Sequence, residues 1–549
     1  MRLILTVMLS FIPYLYSSDR PCSSPVAARP RIRRCRLTRF ATALVATAAL
    51  LLASVAWLSL VFSPATSRCW HLLRDWEDAH IWNRRYHPYI PKEISPPSIP
   101  SLSDHDDDEI LLLQPRNRSL WESNRLDLSL HHLMFGIAGS SQLWERRKEL
   151  VRLWWKPSQM RGHVWLEEQV SPEEGDDSSL PPIIVSEDSS RFRYTNPTGH
   201  PSGLRISRIA MESFRLSLPD VRWFILGDDD TIFNVHNLLA VLSKYDSSEM
   251  VYIGSPSESH SANSYFSHNM AFGGGGIAIS YPLAEALSRI HDDCLDRYPK
   301  LYGSDDRLHA CITELGVPLS KEPGFHQWDI KGDAHGLLSS HPIAPFVSIH
   351  HVEAVNPLYP GLSTLDSLKL FTRAMSLDPM SVLQRSICYD HTQKLTFSIS
   401  LGYVVQVFPS ILLPRDLERA ELSFSAWNGI SHPGEFDLDI KLPVSSRCKK
   451  PVLFFLKEVG GEGNATLGTY ERSSIKDDLK RKLLCFPRSP PLQKVEKIQV
   501  LGFPLSKSWH LVRAPRRLCC RATPTTNEPL RLTVGQCGKV ILGSMVSSQ

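Results

Sequence analysis

The sequence predicts a mixed α/β domain, preceded by one membrane-spanning helix and followed by a smaller β-rich region. Three observations carry this. From Leu130 onward, strand-like and helix-like segments alternate, the order that builds a parallel sheet with crossover helices. From about Phe397 the pattern changes to short β-branched and aromatic runs separated by turns, as in FSISLGYVVQVFPSILL and KKPVLFFLKEV. Near the amino terminus, Phe40 to Ser63 is apolar, carries no charge and is long enough to cross a bilayer.

The 549 residues exceed what one core needs, so two folded units plus tails are expected. Basic residues in RPRIRRCRLTR, Arg29 to Arg39, precede the apolar span and would keep that side cytosolic. Residues 1–39 then form a cytosolic tail and 40–63 a signal anchor, with the remainder lumenal. The opening MRLILTVMLSFIPYLY has a short apolar core of its own, so a cleaved signal is the competing reading. Residues 64–129 are expected to form a stem, because their Pro- and Ser-rich stretch and the acidic run Asp104 to Glu109 cannot build a core. That run is taken as solvated charge without a metal role.

The α/β domain is placed at 130–396. It opens with the strand LHHLMFGIAGS, then the helix-like LWERRKELVRLWW, the strands HVWLEE and PPIIVSE, and the helix SGLRISRIAMESFRLSL. The β-rich region is placed at 397–549 and contains no convincing acid, base or metal constellation. A net charge of +4 argues against a nucleic-acid footprint. Eleven cysteines without CxxC steps disfavour a zinc ribbon and fit a few disulfides in an oxidising lumen, with pairing open. The sequons at Asn117 and Asn464 are compatible with that compartment.

The most informative run is RWFILGDDDTIF, Arg222 to Phe233. Trp223 to Leu226 read as a strand buried on both faces, and Asp228, Asp229 and Asp230 follow after one glycine. Ligands of open α/β sheets bind at that carboxyl edge. Three adjacent carboxylates repel unless compensated, and an i, i+2 pair can turn toward one hard divalent ion, Mg²⁺ or Mn²⁺ carrying a diphosphate. A solvated acidic turn or a helix cap ahead of NVHNLLAVLSKY is the plain alternative.

Further pieces follow in order. AFGGGGIAIS holds Gly273 to Gly276, which would permit close backbone approach to a sugar or phosphate, or simply a tight hairpin. Asp305 and Asp306 stand where a loop enters a helix in YGSDDRLHACITELG; Glu322 and Asp329 flank PGFHQW; His350 and His351 close the strand PFVSIHH. Singly, each has an ordinary structural reading as a cap or a surface pair.

Together these segments resemble the Fringe-like glycosyltransferases, family 31 of the inverting enzymes, and look closest to the plant Fringe-related branch. The residues that carry the resemblance are RRKELVRLWW, SRFRYTNPTGHPSGLRI, DVRWFILGDDDTIF, FGGGGIAIS, GSDDRLHACI and SIHHVEAVNPLYPG, spanning roughly Leu130 to Pro360. The resemblance implies a GT-A fold with a mixed sheet, a UDP-sugar donor, Mn²⁺ or Mg²⁺, and a glycan or glycoprotein acceptor. It implies Asp230 as the metal-binding last residue of a DxD element, Asp228 turned to the nucleotide or metal, and His351 as second metal ligand, with His350 the alternative. It places Asp229, Arg147, Gly274 and Gly275 at the nucleotide sugar. Asp306, with Asp305 beside it, would be the general base. A β-1,3 linkage and Golgi residence, as a single-pass type II protein, are family expectations.

Two departures, the longer glycine run and Trp154-Trp155 in place of a Thr-Trp pair, leave sugar and acceptor specificity open, and oligomeric state is not legible. A haloacid-type phosphatase would need Thr or Val where Ile232 stands. The rival from another class is a catalytically inactive, membrane-anchored sugar-binding or scaffold protein keeping the same fold.

Overall fold

The computed structural model describes residues 128–170, 177–446, 448–473, 485, 495–505, 509, 516–523 and 529–537. The cytosolic tail, the apolar span, nearly all of the stem and Asn117 lie outside the described residues. Among the described residues, no helix is long and apolar enough to cross a membrane.

A seven-stranded mixed sheet organises the first part. Its strands are β1 (Leu133–Ala138), β2 (Arg161–Leu166), β3 (Ile183–Val185), β4 (Trp223–Asp228), β6 (Tyr252–Gly254), β7 (Ile277–Ser280) and β8 (Leu319–Lys321), in the spatial order β3-β2-β1-β4-β7-β6-β8. Strands β1 to β4 run parallel, as the alternating strand and helix pattern demands, and β7 enters antiparallel to both β4 and β6. Burial of β4 explains its unbroken apolar sequence. Trp223 and Ile225 join one hydrophobic cluster while Phe224 and Leu226 join another on the opposite face.

The strand β5 (Ile232–Phe233), directly after the three aspartates, pairs with β11 (Ser348–Ile349), which also pairs with β9 (Phe325–His326). A further pair, β10 (Ile330–Gly332) with β16 (Phe424–Ala426), joins the α/β part to the C-terminal part. Trp154 and Trp155 lie past the helix Ser141–Arg152 and are core residues. Trp154 packs on Phe135 and Phe233, with ring centroids 5.6 and 5.0 Å apart, beneath the end of β4.

The C-terminal region is an eight-stranded sheet of β12 (Arg385–Asp390), β13 (Leu395–Ser400), β14 (Val404–Phe408), β18 (Val452–Glu462), β19 (Ala465–Arg472), β20 (Lys497–Gly502), β22 (Leu530–Gly535) and β21 (Cys519–Thr523). The short pair β15 (Ala420–Glu421) and β17 (Ile440–Lys441) lies between β14 and β18 in the chain. Its two edges meet: Ser386 bridges Leu518, and Cys388 is bonded to Cys520. The sheet therefore curls back on itself, which removes the open edges.

The expected boundary at 397 is corrected by this arrangement. It cuts β13, and the second sheet starts at Arg385. Nor is the region a separate body, since one continuous hydrophobic cluster runs from Leu133 in β1 to Val534 in β22. Disulfides also join Cys294 to Cys311, Cys448 to Cys485 and Cys519 to Cys537. Asn464 is exposed in the turn between β18 and β19.

Candidate functional site

The site forms at the carboxyl end of β4, where register brings four segments together. Leu226 of β4 faces Ile277 of β7 in antiparallel register, so the glycine run preceding Ile277 lies against the aspartates that follow Leu226. Thr231 fastens them, accepting from Asp228 N and donating to Gly274 O at 2.9 and 2.7 Å. The helix Val235–Leu242 is capped by Asn234, so the three aspartates are not its cap.

Pairing of Ile349 with Ile232 then carries the residue after β11 to the aspartates. That residue is His350. Its Nε2 stands 3.3 Å from Asp228 and 3.1 Å from Asp230. His351, expected there from the sequence, turns away: its φ is +51°, and its ring lies between the His350 ring and exposed Trp427, with Nδ1 3.5 Å from Asp329. The positive φ breaks the extended backbone and sends the neighbouring rings to different partners. The candidate metal set is thus Asp228, Asp230 and His350, whose donor atoms lie within 4.8 Å of one another.

Arg147 projects from the helix Ser141–Arg152 and holds the acidic run itself. Its guanidinium donates to Asp229 at 2.7 Å, and it pairs with Asp230 at 3.0 Å and Glu353 at 3.1 Å. Burial would lower its pKa, but the two aspartates raise it above the ordinary range. Asp229 and Asp230 are buried, while Asp228 keeps 36% of its side chain exposed and is the carboxylate that solvent reaches. Burial pushes Asp229 up to about 6 even though Arg147 pulls the other way. Asp230 is as buried, yet His350 and Arg147 hold it down to about 2. Burial also opposes charge on His350, but Asp228 and Asp230 raise it to about 10. The cluster is thus a buried ion network in which each charge is compensated by a neighbour.

The glycines serve this network. A Cβ on Gly274 would stand 2.2 Å from the His350 ring, and one on Gly273 2.6 Å from Asp305 Oδ1. Gly275 lies under the backbone of Gln327, whose side-chain oxygen accepts its N–H at 2.8 Å. Gly274 and Gly275, expected at the nucleotide sugar, are therefore covered by protein, and their small size seats His350 and Gln327. Only Gly276 in the run needs a positive φ, +100°.

The acidic pair divides its work. Asp306 accepts backbone N–H bonds from Tyr302 at 2.6 Å and Gly303 at 2.9 Å, closing the start of the helix Ser304–Glu314. Asp305 lies against Gly273 and accepts from Ser304 Oγ at 3.1 Å. Burial first, and then the Asp228 carboxylate, push it up to about 7. A small cleft lined by Asp228, Gly273, Ser304 and Asp305 connects the two acidic elements. Glu322 stands apart, bonded to Lys244 and Tyr245, and Asp329 is bonded to Ser257. Sequence reasoning missed Gln327 and Trp427, which have no local signature and reach the site only through tertiary pairing.

Comparison with known proteins now bears on this geometry. A model of the Fringe-like family matches residues 174–333, which contain the aspartate run, the glycines and the Asp305–Asp306 pair. Over that stretch the chain is similar to the Fringe-like family. A second model, described as a protein of unknown function, DUF604, matches residues 262–520 and so spans the junction between the Fringe-like stretch and the second sheet. A mouse (Mus musculus) beta-1,3-glucosyltransferase is 33% identical over 107 residues, covering 20% of this chain and 21% of the relative. A Xenopus laevis beta-1,3-N-acetylglucosaminyltransferase radical fringe is 31% identical over 116 residues, covering 17% of this chain and 34% of the relative. The chain thus spans about a fifth to a third of these relatives. A crystal structure of mouse xyloside xylosyltransferase 1 in its apo form aligns at 11% identity, covering 35% of this chain and 84% of that one, with a TM-score of 0.25, too loose to bear on the fold.

Proposed function

We propose that the protein is an inverting, metal-dependent glycosyltransferase of GT-A type. It would move a hexose or N-acetylhexosamine from a UDP-sugar to a hydroxyl of a glycan or glycoprotein. The observation that carries this reading is the convergence of Asp228, Asp230 and His350 at the carboxyl end of β4 in a Fringe-like chain. Two carboxylate oxygens and one imidazole suit Mn²⁺. The buried Asp229 Oδ2 and His350 Nδ1 make no hydrogen bond, so the network retains polar capacity beyond its internal bonds. A divalent ion held there would supply Lewis-acid stabilisation of the charge developing on the leaving diphosphate.

The remaining work falls to this chain's side chains. Arg147 keeps Asp229 and Asp230 in place. Asp305 is proposed as the base that takes the acceptor hydroxyl's proton, because both oxygens of Asp306 already accept backbone N–H groups. Attack from the face opposite the diphosphate inverts the anomeric configuration. The similarity to two β-1,3-glycosyltransferases supports a β-1,3 linkage. The apolar span at 40–63, the disulfides and the exposed Asn464 support a Golgi-lumenal domain on a type II anchor.

The test is UDP release by the detergent-solubilised full chain across a panel of UDP-sugars, with and without Mn²⁺, alongside Asp230→Ala. Metal-dependent release with one sugar, abolished in the variant, is expected and names the donor. If calorimetry detects no UDP binding and no sugar is turned over, the scaffold reading replaces this one.

A further inference from the structure

Away from the aspartate run, a second cluster of metal-ligating side chains joins the two parts of the chain. His260 starts the helix His260–Tyr265, His268 follows that helix, and Asp437 comes from the C-terminal part. His260 Nδ1 is 2.6 Å from one oxygen of Asp437, and His268 Nε2 is 3.1 Å from the other. Donor atoms of all three lie within 4.8 Å of one another.

The carboxylate is held in place from several sides. Buried Asn263 donates to Asp437 Oδ2 at 2.8 Å and is itself fixed by both backbone groups of Ser257. Asp437 N donates to Glu258 O at 3.0 Å, and Phe436 bridges Ser259. Ser264 Oγ, 3.3 Å from His260 Nε2, steadies that ring through its second nitrogen. Outer partners of this kind, an amide on the carboxylate and a hydroxyl on the far ring nitrogen, are what orient ligands in metal centres.

We propose that His260, His268 and Asp437 bind a zinc ion that clips the C-terminal segment to the α/β part. Two imidazoles with one carboxylate suit zinc, whereas magnesium and calcium take all-oxygen sets. Ligand atoms about 2.0–2.1 Å from a tetrahedral zinc stand roughly 3.3 Å from one another, and the three donors already lie within 4.8 Å, with the imidazoles on opposite oxygens of Asp437, so side-chain shifts alone can seat the ion. All three side chains are partly exposed, so the ion enters without unfolding and water completes its coordination. The clip closes a loop between residues 177 positions apart in sequence.

The experiment is zinc titration of the chelator-stripped full chain at neutral pH by competition with a fluorescent indicator. It is run in wild type and in Asp230→Ala, so that an ion at the aspartate run is not counted. One equivalent of zinc at micromolar affinity or tighter is expected in Asp230→Ala, and one more in wild type where the aspartate run also takes zinc. His268→Gln and Asp437→Asn should weaken it by at least about 100-fold, the upper limit of what losing an outer partner does. In the Asp230→Ala background zinc should raise the melting temperature, and with either His268→Gln or Asp437→Asn added it should not. No zinc equivalent in Asp230→Ala, or unchanged affinity in His268→Gln, overturns the proposal. His268→Gln decides if Asp437→Asn does not fold, because His268 is half exposed. None of these readings depends on sugar transfer.

Discussion

The two sheets treat buried polarity in opposite ways. At the carboxyl edge of the first, Asp229, Asp230, His350 and most of Arg147 are packed together out of solvent, where each charge persists only because another compensates it. In the second, one buried face is Phe397, Ile399, Val405, Val407 and Phe454, the buried polar side chains of the other, Thr396, Ser398, Ser400 and Gln406, are uncharged, and a disulfide ties the two edge strands together. The proposed chemistry therefore sits at an edge whose buried charges cost stability, while the second sheet contributes stability. Substitutions at the edge should change turnover more than folding, and substitutions in the second sheet should do the reverse.

The sharpest test of this contrast lies within one helix turn. Asp305→Asn should lower turnover about 10² to 10⁴-fold, the usual worth of a positioned base, while UDP binding is kept. Asp306→Asn should change turnover less and instead destabilise the fold by about 1 kcal/mol, because it weakens the acceptor of two backbone N–H groups at a helix start. Steady-state kinetics and urea unfolding of the two variants separate the roles. Turnover lost in Asp306→Asn and kept in Asp305→Asn would return the base to Asp306.

The second sheet supplies the converse. Replacing Cys388 and Cys520 by serine opens the tie between its edge strands. A cost of about 2–5 kcal/mol is expected, as for other native disulfides, read from urea unfolding. Transfer activity should survive at temperatures where the variant stays folded. An unchanged unfolding midpoint would mean that strand pairing alone closes the sheet.

The same contrast explains how much was legible in the sequence. Strand β4 could be read because burial on both faces leaves an unbroken apolar run, and the aspartates because clustered carboxylates need a cation. The alternating strands and helices of the first part followed from local periodicity, whereas the antiparallel entry of β7 did not. What escaped depended on partners distant in the chain. The choice between His350 and His351 rests on the pairing of β11 with β5 and on one positive φ, neither of which alternation in SIHH reveals. Gly274 reads as room for a ligand until the His350 ring is seen to fill it. The boundary near 397 was drawn where composition changes, whereas the second sheet begins twelve residues earlier in RSICYD, a segment too short and mixed to announce itself.

Acid sensitivity probes the interior behind both regions. His291, in the helix Tyr281–Arg297, is fully buried with neither ring nitrogen bonded, and burial pushes its pKa down to about 4. Burial holds His335 at about 4 as well. An unfolded histidine takes its proton near 6.5, so between about 6.5 and 4 the unfolded chain binds more protons and stability falls as pH falls, levelling off below about 4. Asp305 and Asp229 act with the opposite sign, because their raised pKa values let the folded state take protons first as pH drops below about 7 and 6. The informative quantity is therefore a difference. His291→Leu should become more stable relative to wild type as pH is lowered from 7 to 4, by on the order of 3 kcal/mol across the window, measured by urea unfolding. A difference that stays constant with pH would show that His291 gains a proton partner inside the fold, and the interior would then share the compensated polarity of the sheet edge.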